Sequence, residues 1–240
     1  MAQRIPLALL PGLLLDGAMW RAQVEALSDI ADCRIADFMT QDNMAAMARS
    51  VLAMMPERFA LAGLSMGGYV ALEVMRQAPH RVGLLALLDT KAAPDTEEQT
   101  SRRRGLIELA QKGRFQGVTR MLLPLLIHED RLGDEALTGE IMAMAERCGR
   151  DVFLRQQAAI MGRPDSRPTL PRIACTTLVL CGRQDALTPL EYHEEMARGI
   201  HSSTLVVIDD CGHLAPMEAP GKVNEALRGW LSGWGGPAGG

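Results

Sequence analysis

One stretch, Gly63-Leu64-Ser65-Met66-Gly67, constrains this chain more than any other. The apolar run Phe59-Ala60-Leu61-Ala62 precedes it and reads as a short buried strand, while Tyr69 to Arg76 follows it with a helical pattern. A serine flanked by glycines between a strand and a helix is the nucleophile-elbow pattern G-x-S-x-G. So sharp a turn strains the serine backbone and brings strand and helix too close for side chains at Gly63 and Gly67. It also leaves the serine hydroxyl projecting beside the free amides of a helix N-terminus. A dinucleotide-binding fingerprint would need a glycine at position 65 and a turn after the first strand. Neither condition is met. Ser65 is the candidate nucleophile.

The rest of the chain alternates in the same way. Ile5 to Leu10 is a continuous apolar run of the kind buried on both faces of a parallel sheet. Asp16 is placed to cap a helix carrying Trp20, Val24 and Leu27 on one face, Cys33 to Phe38 is a further strand, and Asn43 opens a helix that Pro56 ends. Val82 to Leu88 is a buried strand ending at Asp89. From about residue 91 to 172 no strand pattern occurs. A charge cluster over Thr96–Arg104 leads into predicted helices at Leu106–Lys112, Arg114–Leu126, Asp134–Cys148 and Asp151–Met161. Alternation then resumes with a strand over Thr177–Cys181 and a helix capped by Thr188. A strand over Thr204–Ile208 and a last helix from Pro220 complete it. The expected architecture is α/β: a mostly parallel sheet of about six strands with helices on both faces. Residues 1–90 and 173–232 form its core, 91–172 a helical lid inserted at the ligand-binding edge, and 233–240 a flexible tail.

A net charge of −4 gives no basic surplus, which argues against nucleic acid as partner. No apolar run reaches the ~18 residues of a membrane span. The N-terminus lacks a cleavable signal pattern, and the five cysteines lack zinc-type spacing and read as free thiols in a reducing compartment. These features predict a cytoplasmic protein acting on a small molecule, with no cofactor and no metal. They leave the oligomeric state open.

A serine hydroxyl needs a base, and the base needs an orienting acid. Of the five histidines, His213 alone falls just beyond a buried strand, in Cys211-Gly212-His213-Leu214. Asp185, in Gly182-Arg183-Gln184-Asp185 directly after the preceding strand, is the candidate acid, with Asp89 its main competitor. Cys211, two residues before His213, is a weaker nucleophile candidate because it has no elbow. The chain order serine, acid, histidine belongs to one fold class.

With Leu10-Pro11-Gly12-Leu13, the elbow, Gly182-Arg183-Gln184-Asp185 and Gly212-His213 in place, the chain resembles the α/β-hydrolase-fold proteins. The likeness is to their compact group of esterases, enol-lactonases and C–C-bond hydrolases. It covers nearly all of the chain except the lid. Pro11 stands where many members carry histidine, and the N-terminal antiparallel strands are missing. The resemblance implies the Ser65–Asp185–His213 triad and an oxyanion hole made by the backbone N–H groups of Leu13 and Met66, with Gly12 allowing close approach. It also implies hydrolysis of a carboxylic ester through an acyl-enzyme. A C–C hydrolase or enol-lactonase using the same triad is the second expectation. A non-catalytic binding protein on this fold is the alternative of another class.

The lid carries more apolar side chains than its helices need, and Leu126 and Met142 are expected to line the acyl pocket. Arg102-Arg103-Arg104 reads as a solvated charge run, with recognition of a substrate carboxylate as the alternative.

Overall fold

A computed structural model describes residues 4–235. Among them six strands form one fully parallel sheet: β1 (Ile5–Leu10), β2 (Ala31–Ile35), β3 (Phe59–Leu64), β4 (Val82–Leu88), β5 (Thr176–Gly182) and β6 (Ser203–Ile208), in spatial order β2-β1-β3-β4-β5-β6. The strands are apolar on both faces because both are covered. Leu10, Leu61, Leu85 and Val179 pack on one side with α2 (Met44–Met54), α3 (Met66–Gln77) and α6 (Leu190–Gly199). Leu7, Leu9, Ala62 and Leu180 pack on the other with α1 (Arg21–Ala26) and α8 (Pro220–Leu231). Parallel strands direct all their C-terminal ends to one edge, so the residues after β3, β4, β5 and β6 converge there.

Between β4 and β5 lies a strand-free segment built on α4 (Glu97–Gln111) and the long tract α5 (Glu135–Met161). The charge cluster belongs to α4, whose Thr96 and Gln99 form a reciprocal capping box. Gly149 breaks α5 with φ 73° and ψ 179°, which yields the two helices read from the sequence. The helix expected over Arg114–Leu126 is absent. Gly113 and Gly117 adopt positive φ (75° and 64°), and only a short 3₁₀ turn, Leu123–Leu125, follows around Pro124. The helix expected from Thr188 begins at Leu190, with Pro189 at its cap position, because the Thr188 hydroxyl is engaged elsewhere. Of the tail placed at 233–240, residues 236–240 lie outside the described residues, while Trp234 packs over Gly83 and beneath the Arg58 guanidinium.

Glycines at the crowded edge and in open helix differ in what a methyl group would meet. A Cβ on Gly182 would sit 2.7 Å from the Cys211 carbonyl carbon, whereas one on Gly139 in α5 meets nothing within 4 Å. Gly139→Ala is therefore expected to raise unfolding free energy by about 0.5–1 kcal/mol, the helix-propensity gain. Gly182→Ala is expected to lower it by ~3 kcal/mol or more. Urea titration of both variants checks the pair.

Candidate active site

The elbow owes its shape to backbone contact. A Cβ on Gly63 would lie 2.5 Å from the Gly67 carbonyl carbon, and one on Gly67 would lie 2.7 Å from that of Leu10. Ser65 consequently adopts φ 53° and ψ −114° at the N-cap of α3. Its amide donates to Leu88 O (3.0 Å), and its carbonyl accepts from Gly68 N (2.9 Å) and from the Thr90 hydroxyl (2.8 Å).

His213 Nε2 lies 2.8 Å from Ser65 Oγ, and Nδ1 lies 2.8 and 2.9 Å from the two oxygens of Asp185. His213 and Asp185 are both 3% exposed, so the acid–histidine contact is shielded from water. Asp185 also accepts from Leu187 N (2.8 Å), Thr188 N (2.9 Å) and the Thr188 hydroxyl (2.6 Å). Burial opposes ionisation of Asp185, but His213 and the Thr188 donors outweigh it and hold the carboxyl below the usual range.

Asp89 follows the neighbouring strand and makes a different set of contacts. Its oxygens accept from Gly182 N (2.9 Å) and Ala215 N (3.2 Å), with no bond to His213. Full burial, with the Asp185 charge nearby, pushes its carboxyl well above the ordinary range. His193 is buried on α6, where its Nε2 accepts from Thr90 N (2.9 Å), and burial lowers its pKa to about 4. Asp89, Asp185 and His193 bring one possible ligand atom each to within 4.8 Å of one another. Each of these groups already accepts hydrogen bonds that fix the loops around it, a donor set committed to structure.

Leu13 N–H and Met66 N–H have no protein acceptor among the described residues. Gly12 lies against the elbow, where a Cβ would come within 3.4 Å of Ser65 Cβ. A cavity of about 480 Å³ opens over Ser65 and His213, lined by Leu13, Leu126 and Phe153 among others. Met142, expected at the pocket, is half-buried on α5 and outside the lining, because Ile141 and Met144 carry the inward face there. Gly12 shapes the wall from behind without reaching the cavity surface.

Two features were not visible in the sequence. Thr188 braces Asp185 instead of capping α6. Glu218, 4% exposed, takes the N–H groups of Gly212 (3.0 Å), Leu214 (3.1 Å) and His128 (2.7 Å), so it clamps the His213 loop to the inserted segment. The strand-end pattern could have pointed to Asp185's neighbours, but no local signal marks Glu218.

The sequence of residues 8–226 matches the model of the alpha/beta hydrolase family. The chain belongs to that family. It is 34% identical to a thermophilic esterase from Thermogutta terrifontis, solved with malate bound, at a TM-score of 0.85 over 95% of this chain and 89% of that one. An enol-lactonase from Burkholderia xenovorans LB400 shares the fold at 22% identity and TM-score 0.87, over 96% and 92% of the two chains. The 2-hydroxy-6-oxo-6-phenylhexa-2,4-dienoate hydrolase of Comamonas testosteroni is 27% identical over 173 residues, 70% of this chain. The match spans 60% of that relative's own length. Proteins similar to this chain thus include an esterase and a dienoate hydrolase. Among the described residues no helix is long and apolar enough to cross a membrane.

Cys211 is fully buried, and burial drives its thiol far above the usual range, with Glu218 and Asp89 adding to the effect. Iodoacetamide is expected to leave Cys211 unmodified in the native protein and to label it only after unfolding. Peptide mapping with and without urea checks this; rapid native labelling at Cys211 would mean a thiolate.

Proposed function

We propose that the protein is a serine hydrolase that cleaves carboxylic esters of small to medium acyl groups. One observation carries the reading: an unbroken hydrogen-bonded line from Asp185 through His213 to a strained Ser65 at the floor of a cavity.

In this reading Ser65 Oγ attacks the ester carbonyl carbon while His213 Nε2 takes the hydroxyl proton. The carbonyl π pair moves to oxygen, where the N–H groups of Leu13 and Met66 receive it. Donors so placed are worth roughly 3 kcal/mol each towards such an oxyanion. Collapse expels the alkoxide, to which His213 returns the proton, leaving an acyl-Ser65 ester. Water then enters, gives its proton to His213 and releases the acid and free serine. Asp185 stays ionised throughout, fixes the Nδ1–H tautomer and stabilises the imidazolium. The segment over residues 91–172 acts as a lid that sets acyl size and keeps water from the oxyanion contacts. The C–C hydrolase reading uses the same residues, and its support is the kinship with the Comamonas enzyme.

An organophosphonate ester is expected to add once, at the peptide containing Ser65, and Ser65→Ala is expected to abolish both adduct and ester turnover. Asp185→Asn should lower kcat about 10⁴-fold through loss of the tautomer. Asp89→Asn should cost under about tenfold, since an amide oxygen still serves one of its backbone donors. The reverse ranking would move the acid to the end of β4. In the lid, Leu126→Trp is expected to shorten the preferred acyl chain while Met142→Trp leaves it unchanged. An acyl-length series of p-nitrophenyl esters reads this out, and a profile that neither substitution moves would remove the lid from substrate selection.

A further inference from the structure

The cavity wall away from the serine has its own chemistry, where α3, α4 and α5 meet the loop after β4. There Asp95, 6% exposed in its side chain, is contacted by Arg103 Nε (2.6 Å), Arg163 Nη2 (2.8 Å) and Lys91 Nζ (3.5 Å). The Lys91 and Arg163 side chains are 2% and 5% exposed and that of Arg103 is 21% exposed. Three cations against one carboxylate leave an excess of two positive charges beside the cavity. Burying uncompensated charge is costly, so this wall favours an anion in the cavity.

The hydrogen-bond inventory agrees. Both Asp95 oxygens are engaged. Gln99 Oε1 accepts from Lys91 Nζ (2.6 Å) and Thr96 N (3.1 Å), and Gln157 Oε1 accepts from Arg103 Nη1 (3.0 Å). Among the donors that remain are Arg103 Nη2, Gln157 Nε2 and the Tyr69 hydroxyl. None has a protein acceptor among the described residues, although Gln157 and Tyr69 are only 1% and 6% exposed. All three residues line the cavity that holds Ser65. Burial raises the Tyr69 phenol, which keeps it a donor, and the Arg163 guanidinium 4.2 Å from the ring centroid holds that ring in place. A positive wall whose free N–H groups are joined by a hydroxyl able to donate complements a group that is negative and only accepts: a carboxylate, whose two oxygens suit a guanidinium edge. Tyr69 stands one helical turn beyond Ser65, about 6 Å along α3, which sets a short spacer between the reacting carbonyl and the anion.

We propose that Arg103, Gln157 and Tyr69 form a carboxylate-binding subsite, and that the substrate is an ester carrying a free carboxylate a few carbons from the scissile carbonyl. The proposal rests on the hydrolase reading above for the word ester, but the subsite itself can be tested apart from it. Mono-p-nitrophenyl adipate and its terminal primary amide have the same length and leaving group and differ in one charge. Wild-type protein is expected to favour the anionic ester in kcat/KM by about tenfold or more, the effect of one charge-assisted hydrogen bond. In Arg103→Gln and, independently, in Tyr69→Phe, that ratio should fall towards one through a raised KM for the anionic ester. Tyr69→Phe keeps the ring beneath Arg163, so it serves should Arg103→Gln fail to fold. A wild-type ratio of one or below, or a ratio unchanged in both folded variants, would overturn the subsite. If neither ester is cleaved and Ser65 takes no phosphonate, the hydrolase reading has failed instead. Calorimetric binding of glutarate to wild type, lost in Tyr69→Phe, then still upholds the subsite, and its absence in wild type rejects it.

Discussion

Everything at the C-terminal edge of the sheet depends on how closely three backbones pass at the end of β3. With Gly63 against the Gly67 carbonyl and Gly67 against that of Leu10, the chain has no route into α3 except through a strained residue, and Ser65 takes that conformation. Such a geometry costs on the order of 1–3 kcal/mol and survives only when its surroundings over-determine it. Here they do. The amide of Ser65 is held by β4 through Leu88 O, and its carbonyl is held by the Thr90 hydroxyl. The Thr90 amide in turn donates to buried His193. Neutrality of His193 is part of this arrangement, because only an unprotonated Nε2 can accept that bond. The serine hydroxyl is thus aimed by the sheet rather than by its own side-chain contacts.

Two buried carboxylates follow adjacent strands, and their surroundings divide the work between them. Asp89 is fully buried near the Asp185 charge with no cation beside it, so its carboxyl rises despite two backbone amides, and it serves to tie the ends of β4 and β5 to the start of the helix Ala215–Glu218. Asp185 receives the Thr188 donors and the histidine, so its carboxyl falls and its charge is retained beside an imidazole that can become positive. Both lie at the correct edge, and position alone could not separate them. The bonding partners do, since a charge can be kept in so dry a place only where a countercharge is at hand.

Much of this was legible in the sequence because it is local. Glycine spacing fixes the elbow, continuous apolar runs and period-3.6 patterns fix the alternation, and parallel strands bring Ser65, Asp185 and His213 to one edge whatever the details between them. What was hidden depends on distant partners. Arg114 to Leu126 has helical spacing, yet Gly113 and Gly117 turn through positive φ, and of its apolar side chains Leu123 is buried while Met121 stands exposed. Thr188 has every mark of a helix cap, but a buried carboxylate three residues earlier offers its hydroxyl a stronger acceptor. Arg103 sits in a run that reads as solvated charge, and only the packing of α4 on α5 turns it towards Asp95 and Gln157, while Arg102 and Arg104 stay exposed.

The inserted segment is also less separate from Ser65, Asp185 and His213 than the order of motifs implies. His213 N–H donates to the carbonyl of Leu126 (3.0 Å), the same residue whose side chain lines the cavity. Gly212 packs so tightly on Ile127 that a Cβ there would come within 2.8 Å of its Cα. Glu218 then joins the amides of Gly212 and His128 through one carboxylate, and Arg131 closes the link by donating to the Glu218 carbonyl. The loop that presents the histidine therefore has the insertion for one of its walls. A displacement of residues 126–128 would shift the imidazole as well as the cavity surface. In the proposed reading, size selection and positioning of the base share one piece of backbone, so exchanging this segment for that of a relative has to preserve both.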